Sequence, residues 1–306
     1  MILMKPNFWQ TKNFISLFLF PLTLITFGIN FLKKFNIKKH FKIKTICIGN
    51  LSAGGTGKTS LAVELNELLR DKFKTVFIKK KYSNQKDEYN LLKKRGKIIS
   101  SKNRTDALIT AEKNFDLAIL DDGLQQKNIE YDLKIVCINS YEGFGNNFLL
   151  PAGPLRENSN ELKNYDIVFL NGFKKNKKIK NKIKKINNNL KIFDATYEPI
   201  NLKEYNLKNK FLSFCCIGNP HEFENTLKKF KFKIKEKLVF PDHYILSDEI
   251  IDNMKDIANK NKLKIITTEK DFLRLTKKQQ MGINFLKVKL KIQNISKLKK
   301  LLKSNI

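Results

Sequence analysis

The stretch that most constrains this chain is Gly49-Asn50-Leu51-Ser52-Ala53-Gly54-Gly55-Thr56-Gly57-Lys58-Thr59. It follows the apolar run Ile43 to Ile48, which reads as a buried strand. It precedes Ser60 to Arg70, where Leu61, Leu65, Leu68 and Leu69 recur at helical spacing. Strand, glycine-rich turn, then helix is the context in which Gly-Lys-Thr signals a phosphate-binding loop. Glycines let successive backbone N–H groups converge on phosphate oxygens without a Cβ in the way, and the helix N-terminus adds its partial positive charge. In such a loop Lys58 reaches the outer phosphates and the Thr59 hydroxyl ligates Mg²⁺. Ser52 stands where the strict Walker A pattern has glycine. Residues Ser52, Ala53, Gly54, Gly55, Thr56, Gly57, Lys58 and Thr59 are therefore the expected nucleotide cradle.

A second motif supports the first. Phe115 to Leu120 is an apolar strand that runs directly into Asp121-Asp122-Gly123-Leu124-Gln125-Gln126. A strand ending in Asp downstream of a phosphate loop is the Walker B arrangement, whose carboxylate holds Mg²⁺ directly or through water. Leu133 to Ile138 is a further strand, and its exit segment, Tyr141 to Glu157, is too long to be a mere connection. Loops leaving the same end of parallel strands gather around the ligand crevice. Arg156 can there face phosphate, and Glu157 metal or a substrate hydroxyl. Asp87-Glu88 is the acidic pair of a basic segment, and His243 lies on a Pro-fixed loop next to Asp242. An adjacent carboxylate can orient such a histidine for proton transfer.

Phe14 to Leu32 is a run without charge, interrupted by Pro21 and Gly28. As one helix it would cover roughly 28 Å, just the hydrocarbon thickness of a bilayer. A clean span and a kinked or interfacial helix both fit. Lys33, Lys34, Lys38, Lys39, Lys42 and Lys44 follow, against Lys5 and Lys12 before it, which keeps the downstream part cytoplasmic. The formal charge of +31 over 306 residues suits nucleic acid, an anionic membrane or an acidic substrate. No aromatic-basic interleaving of the kind that grips single strands accompanies it. Segment 173–189 reads as a strongly basic helix on Ile179, Ile183 and Ile186. Cys47, Cys137, Cys215 and Cys216 each lie in apolar, strand-like runs and read as core thiols of a reducing compartment.

The expected organisation is an α/β chain. Residues 1–40 form a membrane-associated helix and basic linker. Residues 41–195 form a P-loop NTPase-like core on a mostly parallel sheet, and 196–306 a smaller α/β domain that can return a helix to the core. Ser247 to Lys260 is a helix capped by Ser247.

Together these pieces resemble the tetraacyldisaccharide 4′-kinases, which phosphorylate the 4′-hydroxyl of a membrane-embedded disaccharide lipid in lipid A biosynthesis. The matching text is GNLSAGGTGKT, DE-x-x-LL at Asp87 to Leu92, DDGLQQ, LLPAGPLRE, Cys216-Ile-Gly-Asn-Pro, FPDHY and TTEKD, in the family's order. The resemblance implies ATP and Mg²⁺ as cofactors, with Lys58 and the loop on the phosphates and Arg104 near the nucleotide. It implies a metal site drawn from Thr59, Asp121, Asp122 and Glu157. Asn50, Gln125 and Arg156 are then expected at the substrate, and Asp87 pairs with His243 to activate the lipid's hydroxyl. The implied partners are an anionic disaccharide lipid and the cytoplasmic face of the inner membrane, with neither nucleic acid nor an obligate protein partner. Two departures stand out. Lys79-Lys80-Lys81-Tyr82 replaces the family's arginine- and glycine-rich turn, and Gln126 stands where the family usually has His. The rival reading is a membrane-associated P-loop ATPase switch of the partitioning type, although those proteins carry Lys-Gly-Gly where Ala53 precedes Gly54 here.

Overall fold

The computed structural model describes residues 5–82, 86–173 and 176–306, so residues 174 and 175 of the basic segment lie outside it. Lys5–Tyr82, Leu92–Thr196 and Ile292–Ile306 build a larger compact unit, and residues 86–91 with Tyr197–Lys291 a smaller one.

The strands are β1 (Lys44–Gly49), β2 (Thr75–Lys80), β3 (Ile98–Ser101), β4 (Leu117–Asp121), β5 (Leu133–Asn139), β6 (Ile167–Asn171), β7 (Lys191–Pro199), β8 (Lys210–Cys215), β9 (Lys233–Val239), β10 (Lys264–Thr268), β11 (Ile283–Leu286) and β12 (Val288–Ile292). Among the described residues one sheet has the order β12-β7-β6-β5-β1-β4-β2-β3. Its central strands are apolar on both faces: Ile46, Cys47 and Ile48 of β1 and Leu117 to Leu120 of β4 are fully buried. Continuous apolar runs are what parallel strands covered on both sides require. β1 pairs in parallel with β4 on one side, Ile48 opposite Asp121, and with β5 on the other, Ile48 opposite Ile135. After β1 the chain builds β2 to β4 on one flank and then crosses to β5. The topological switch therefore lies between β1 and β5, and a ligand crevice opens outside their carboxyl ends.

The apolar N-terminal run is not one helix. Asn13 caps α1 (Phe14–Phe18), a 3-10 turn carrying Pro21 follows, and α2 (Thr23–Lys33) starts afresh. Proline lacks the N–H that a continuous helix needs, so the run breaks there. α2 has 11 residues, about 16 Å of helix, and no helix among the described residues is long and apolar enough to cross a membrane. The single unbroken helix over this run is thereby corrected. One side of α2 is tied to the larger unit: Thr26 Oγ1 donates to the Leu150 carbonyl (2.7 Å) and Asn30 Nδ2 to the Arg156 carbonyl (2.6 Å). α1 and α2 are otherwise bare on their apolar side. Phe14, Phe18, Leu24 and Leu32 are 83%, 75%, 67% and 68% exposed.

The smaller unit has the sheet order β11-β10-β8-β9, with the helix Asp248–Lys260 capped by the Ser247 side chain. Segment 86–91 falls in this unit, whereas the sequence reading placed it in the core. The physical reason is charge: Lys270 pairs with Glu88 at 2.8 Å and with Asp87 at 3.4 Å.

Candidate active site

The phosphate loop is held open by its own side chains and by the segment around residue 155. Ala53 N–H donates to the Pro154 carbonyl (2.7 Å) and Arg156 N–H to the Leu51 carbonyl (2.6 Å). Asn50 Nδ2 donates to the Ser52 and Gly54 carbonyls, and Gln125 Nε2 to the Asn50 carbonyl (2.8 Å). Asn50 is fully buried and braces the loop from beneath, its Oδ1 accepting from Arg156 Nη1 (3.4 Å). Gly57 takes φ 84°, a left-handed conformation open to glycine. It turns the chain into α3 (Lys58–Leu69), whose first-turn N–H groups have no partners inside the helix. Those amides face the cradle.

Asp121 closes the loop from β4. Its Oδ2 accepts from the Thr59 hydroxyl (3.1 Å) and from Lys79 Nζ (2.8 Å), while its buried Oδ1 has no hydrogen-bond partner among the described residues. The next residue, Asp122, has φ 58°, which Asp tolerates better than most. Its carboxylate lies 3.6 Å from Lys58 Nζ and 3.2 Å from Arg156 Nη1, and its carbonyl accepts from Arg104 Nη2 (2.6 Å). Burial pushes the Asp122 carboxyl up, but the charges of Lys58, Arg156 and Arg104 outweigh it and hold the carboxyl below its usual range. Gln126 accepts from Arg104 Nη1 (3.2 Å). An amide at this departure from the family pattern thus keeps the guanidinium in place.

Glu157 does not join this group. Its two oxygens are occupied by Lys127 Nζ (2.7 Å) and the Tyr165 hydroxyl (2.7 Å), and no cluster of three or more His, Cys, Asp or Glu able to hold a metal forms among the described residues. The Thr59 hydroxyl and the unpartnered Asp121 Oδ1 remain as hard oxygen donors. Mg²⁺ takes one or two such protein ligands and completes its octahedron from substrate phosphates and water, so the residues present fit it. Lys79 is the participant that motif reading missed. Its signal was a lysine inside an apolar strand, directly opposite Asp121 in the β2–β4 register.

In the smaller unit, His243 has φ 60°, a strained conformation of the kind that concentrates at functional positions. Its Nδ1 lies 3.4 Å from Asp87 Oδ1 and its Nε2 3.7 Å from Asp242. Lys270 and Arg274 approach the other Asp87 oxygen at 3.4 and 3.3 Å. Burial alone would raise the Asp87 carboxyl; the nearby His243 imidazole and the two cations reverse that and hold it far below the usual carboxylate range. A carboxylate so held stays ionised and orients an imidazole better than it takes a proton itself.

The motifs, the loop and the Asp–His pair can be set beside known proteins. The tetraacyldisaccharide-1-P 4′-kinase family model matches residues 15–306. The chain belongs to that family. A tetraacyldisaccharide 4′-kinase of Pelagibacter ubique is 44% identical, with 100% of this chain and 99% of the relative aligned. One from Rickettsia akari is 35% identical over 89% of this chain and 88% of the relative. LpxK from Aquifex aeolicus, crystallised with ATP, shares the fold at TM-score 0.70 and 23% identity, covering 95% of this chain and 99% of that one. Membership in a 4′-kinase family decides against the partitioning-type switch.

Proposed function

We propose that this kinase transfers the γ-phosphoryl group of Mg·ATP to the 4′-hydroxyl of a tetraacyldisaccharide 1-phosphate lipid. The carrying observation is the Thr59–Asp121–Lys58–Asp122 arrangement around a phosphate loop, in a chain of this family. The loop amides and Lys58 hold the phosphates, and Arg156 and Arg104, now paired to Asp122, add positive charge where the transition state concentrates negative charge. Thr59 and Asp121 would hold the Mg²⁺, which neutralises phosphate oxygens during transfer. Asp122 orients the cations around that position. His243, oriented by Asp87, takes the acceptor hydroxyl's proton. Lys270 and Arg274 keep Asp87 anionic throughout, so the proton stays on the imidazole.

The bare apolar side of α1 and α2 supports a seat at the membrane, where the lipid lies. Lysines at Lys33, Lys34, Lys38 and Lys39 suit the anionic cytoplasmic leaflet of the inner membrane. Asn30 fixes this helix to the Arg156 carbonyl, which links the membrane seat to the segment bearing a phosphate-facing arginine. The test is transfer of radiolabel from ATP to a disaccharide-1-phosphate lipid in detergent. Lys58→Ala should lose at least about a hundredfold in rate with an unchanged circular dichroism spectrum. Undiminished transfer by that variant refutes the loop's role.

A further inference from the structure

β2 carries a lysine where its own pattern calls for an apolar residue. Val76, Phe77 and Ile78 are buried, and Lys79, one pleat beyond Phe77, is buried as well. An ammonium is costly to desolvate there and is kept only where a carboxylate meets it. Asp121 does so. It lies directly opposite Lys79 in the β2–β4 register, with Lys79 Nζ 2.8 Å from its Oδ2. The same Oδ2 accepts from the Thr59 hydroxyl, while Oδ1 is buried with no hydrogen-bond partner among the described residues. Lys79 therefore neutralises, through one oxygen, the carboxylate whose other oxygen is the donor left for a metal.

Around the two carboxylates of this turn, positive charge is in excess. Lys79 meets Asp121, Lys58 and Arg156 meet the Asp122 carboxylate, and Arg104 meets the Asp122 carbonyl. A divalent cation that came to these groups alone would meet repulsion, and a carboxylate whose charge is already answered. Nucleotide phosphates reverse that sign. Lys58, at the head of α3, turns from Asp122 to the phosphates when they are bound. Lys79 sits on a strand enclosed between β3 and β4 and stays on Asp121.

We propose that Lys79 is a tethered counter-cation of the magnesium site and makes metal binding conditional on nucleotide: the protein takes Mg²⁺ together with the phosphates and not ahead of them. Lys79 answers the charge on Asp121 that a free divalent ion needs, and the phosphates bring the oxygens and the negative charge that outweigh it. A lysine that served only as the structural partner of Asp121 would stabilise the fold without setting that order. This rests on the nucleotide reading of the loop, and the experiment separates the two.

Mn²⁺ suits the same oxygen donors as Mg²⁺, and the paramagnetic resonance signal of the free ion reports how much has bound. In nucleotide-free titrations of the full-length protein, Lys79→Met should bind Mn²⁺ at least about tenfold more tightly than the wild type. A smaller gain, or a loss, overturns the proposal. Urea midpoints give the second readout, because a ligand that binds only the folded state raises them. Mn²⁺ alone should leave the wild-type midpoint unchanged, and Mn²⁺ with ADP should raise it above the value in ADP and chelator. A wild type stabilised by Mn²⁺ alone as much as by Mn²⁺ with ADP overturns the proposal as well. If Lys79→Met is unfolded without metal, Mn²⁺ alone should fold it, and a chain that stays unfolded counts against the proposal. A wild type that binds no ADP overturns the nucleotide reading, and the proposal with it.

Discussion

Lys79→Met is the sharpest perturbation of this fold. The Lys79 and Asp121 side chains are 4% and 1% exposed, and their charged atoms lie 2.8 Å apart. Methionine keeps most of the aliphatic length and removes only the ammonium, so packing loss is small. What remains is a carboxylate buried in the sheet with the Thr59 hydroxyl on one oxygen and nothing on the other. Breaking a buried pair from one side costs about 3–5 kcal/mol, because the surviving charge is uncompensated. Urea unfolding followed by fluorescence measures it. Trp9 is the chain's one tryptophan, and its Nε1 donates to the Pro151 carbonyl (3.0 Å) in the same unit as the pair. The midpoint should fall while the slope with denaturant stays constant. Asp121→Asn in the Lys79→Met background removes the stranded charge, so the double variant should lose at least about 1 kcal/mol less than the sum of the singles. Additive losses, or a Lys79→Met loss below about 1 kcal/mol, would refute the claim that this pair is a coupled buried unit.

Glu222 supplies a pH-dependent case in the smaller unit. It is buried in the helix Pro220–Lys229, its Oε1 lacks a partner among the described residues, and burial raises its carboxyl to about 7. The folded state therefore holds a proton that the unfolded chain releases near pH 4.3. Its contribution is fully present below that value and is lost as pH rises through about 7. Glu222→Gln should match the wild type at pH 4 and exceed it by up to about 3 kcal/mol at pH 8, read from urea midpoints; equal midpoints at pH 8 contradict the burial argument. On the membrane side, Phe18→Asp with Leu24→Asp replaces two exposed residues that pack against little else. Co-sedimentation with vesicles containing anionic lipid should drop by at least about tenfold at unchanged urea stability, and retained binding would move the membrane seat elsewhere.

How much of this was legible in the sequence follows from the range of each interaction. The phosphate loop, the strand before it, the helix after it and the Asp121-Asp122 turn declare themselves because glycine chemistry and apolar periodicity act within a few residues. Pro21 left a clean helix and a broken one both open, and the break between α1 and α2 falls at it. Lys79 did not, because its meaning depends on the register that sets β2 against β4 and brings it opposite Asp121, 42 residues on. Glu157 looked free for a metal because nothing local shows that Lys127 and Tyr165 claim its oxygens. Segment 86–91 reads as part of a chain-contiguous core until Lys270 and Arg274, far along the sequence, draw its carboxylates into the smaller unit.

The same distinction applies to Lys79 and Gln126, whose contacts show only across the sheet. An arginine- and glycine-rich turn is a local device, and its replacement by Lys79-Lys80-Lys81-Tyr82 reads as a loss when only neighbours are considered. Across the sheet, Lys79 delivers a cation to Asp121 from a rigid strand, where it needs no turn to place it. Gln126 similarly accepts from Arg104, and the guanidinium then donates to the Asp122 carbonyl. What the reaction requires is a fixed array of charges around the phosphates, and long-range pairing across β1, β2 and β4 can supply that array where short-range motif text has drifted.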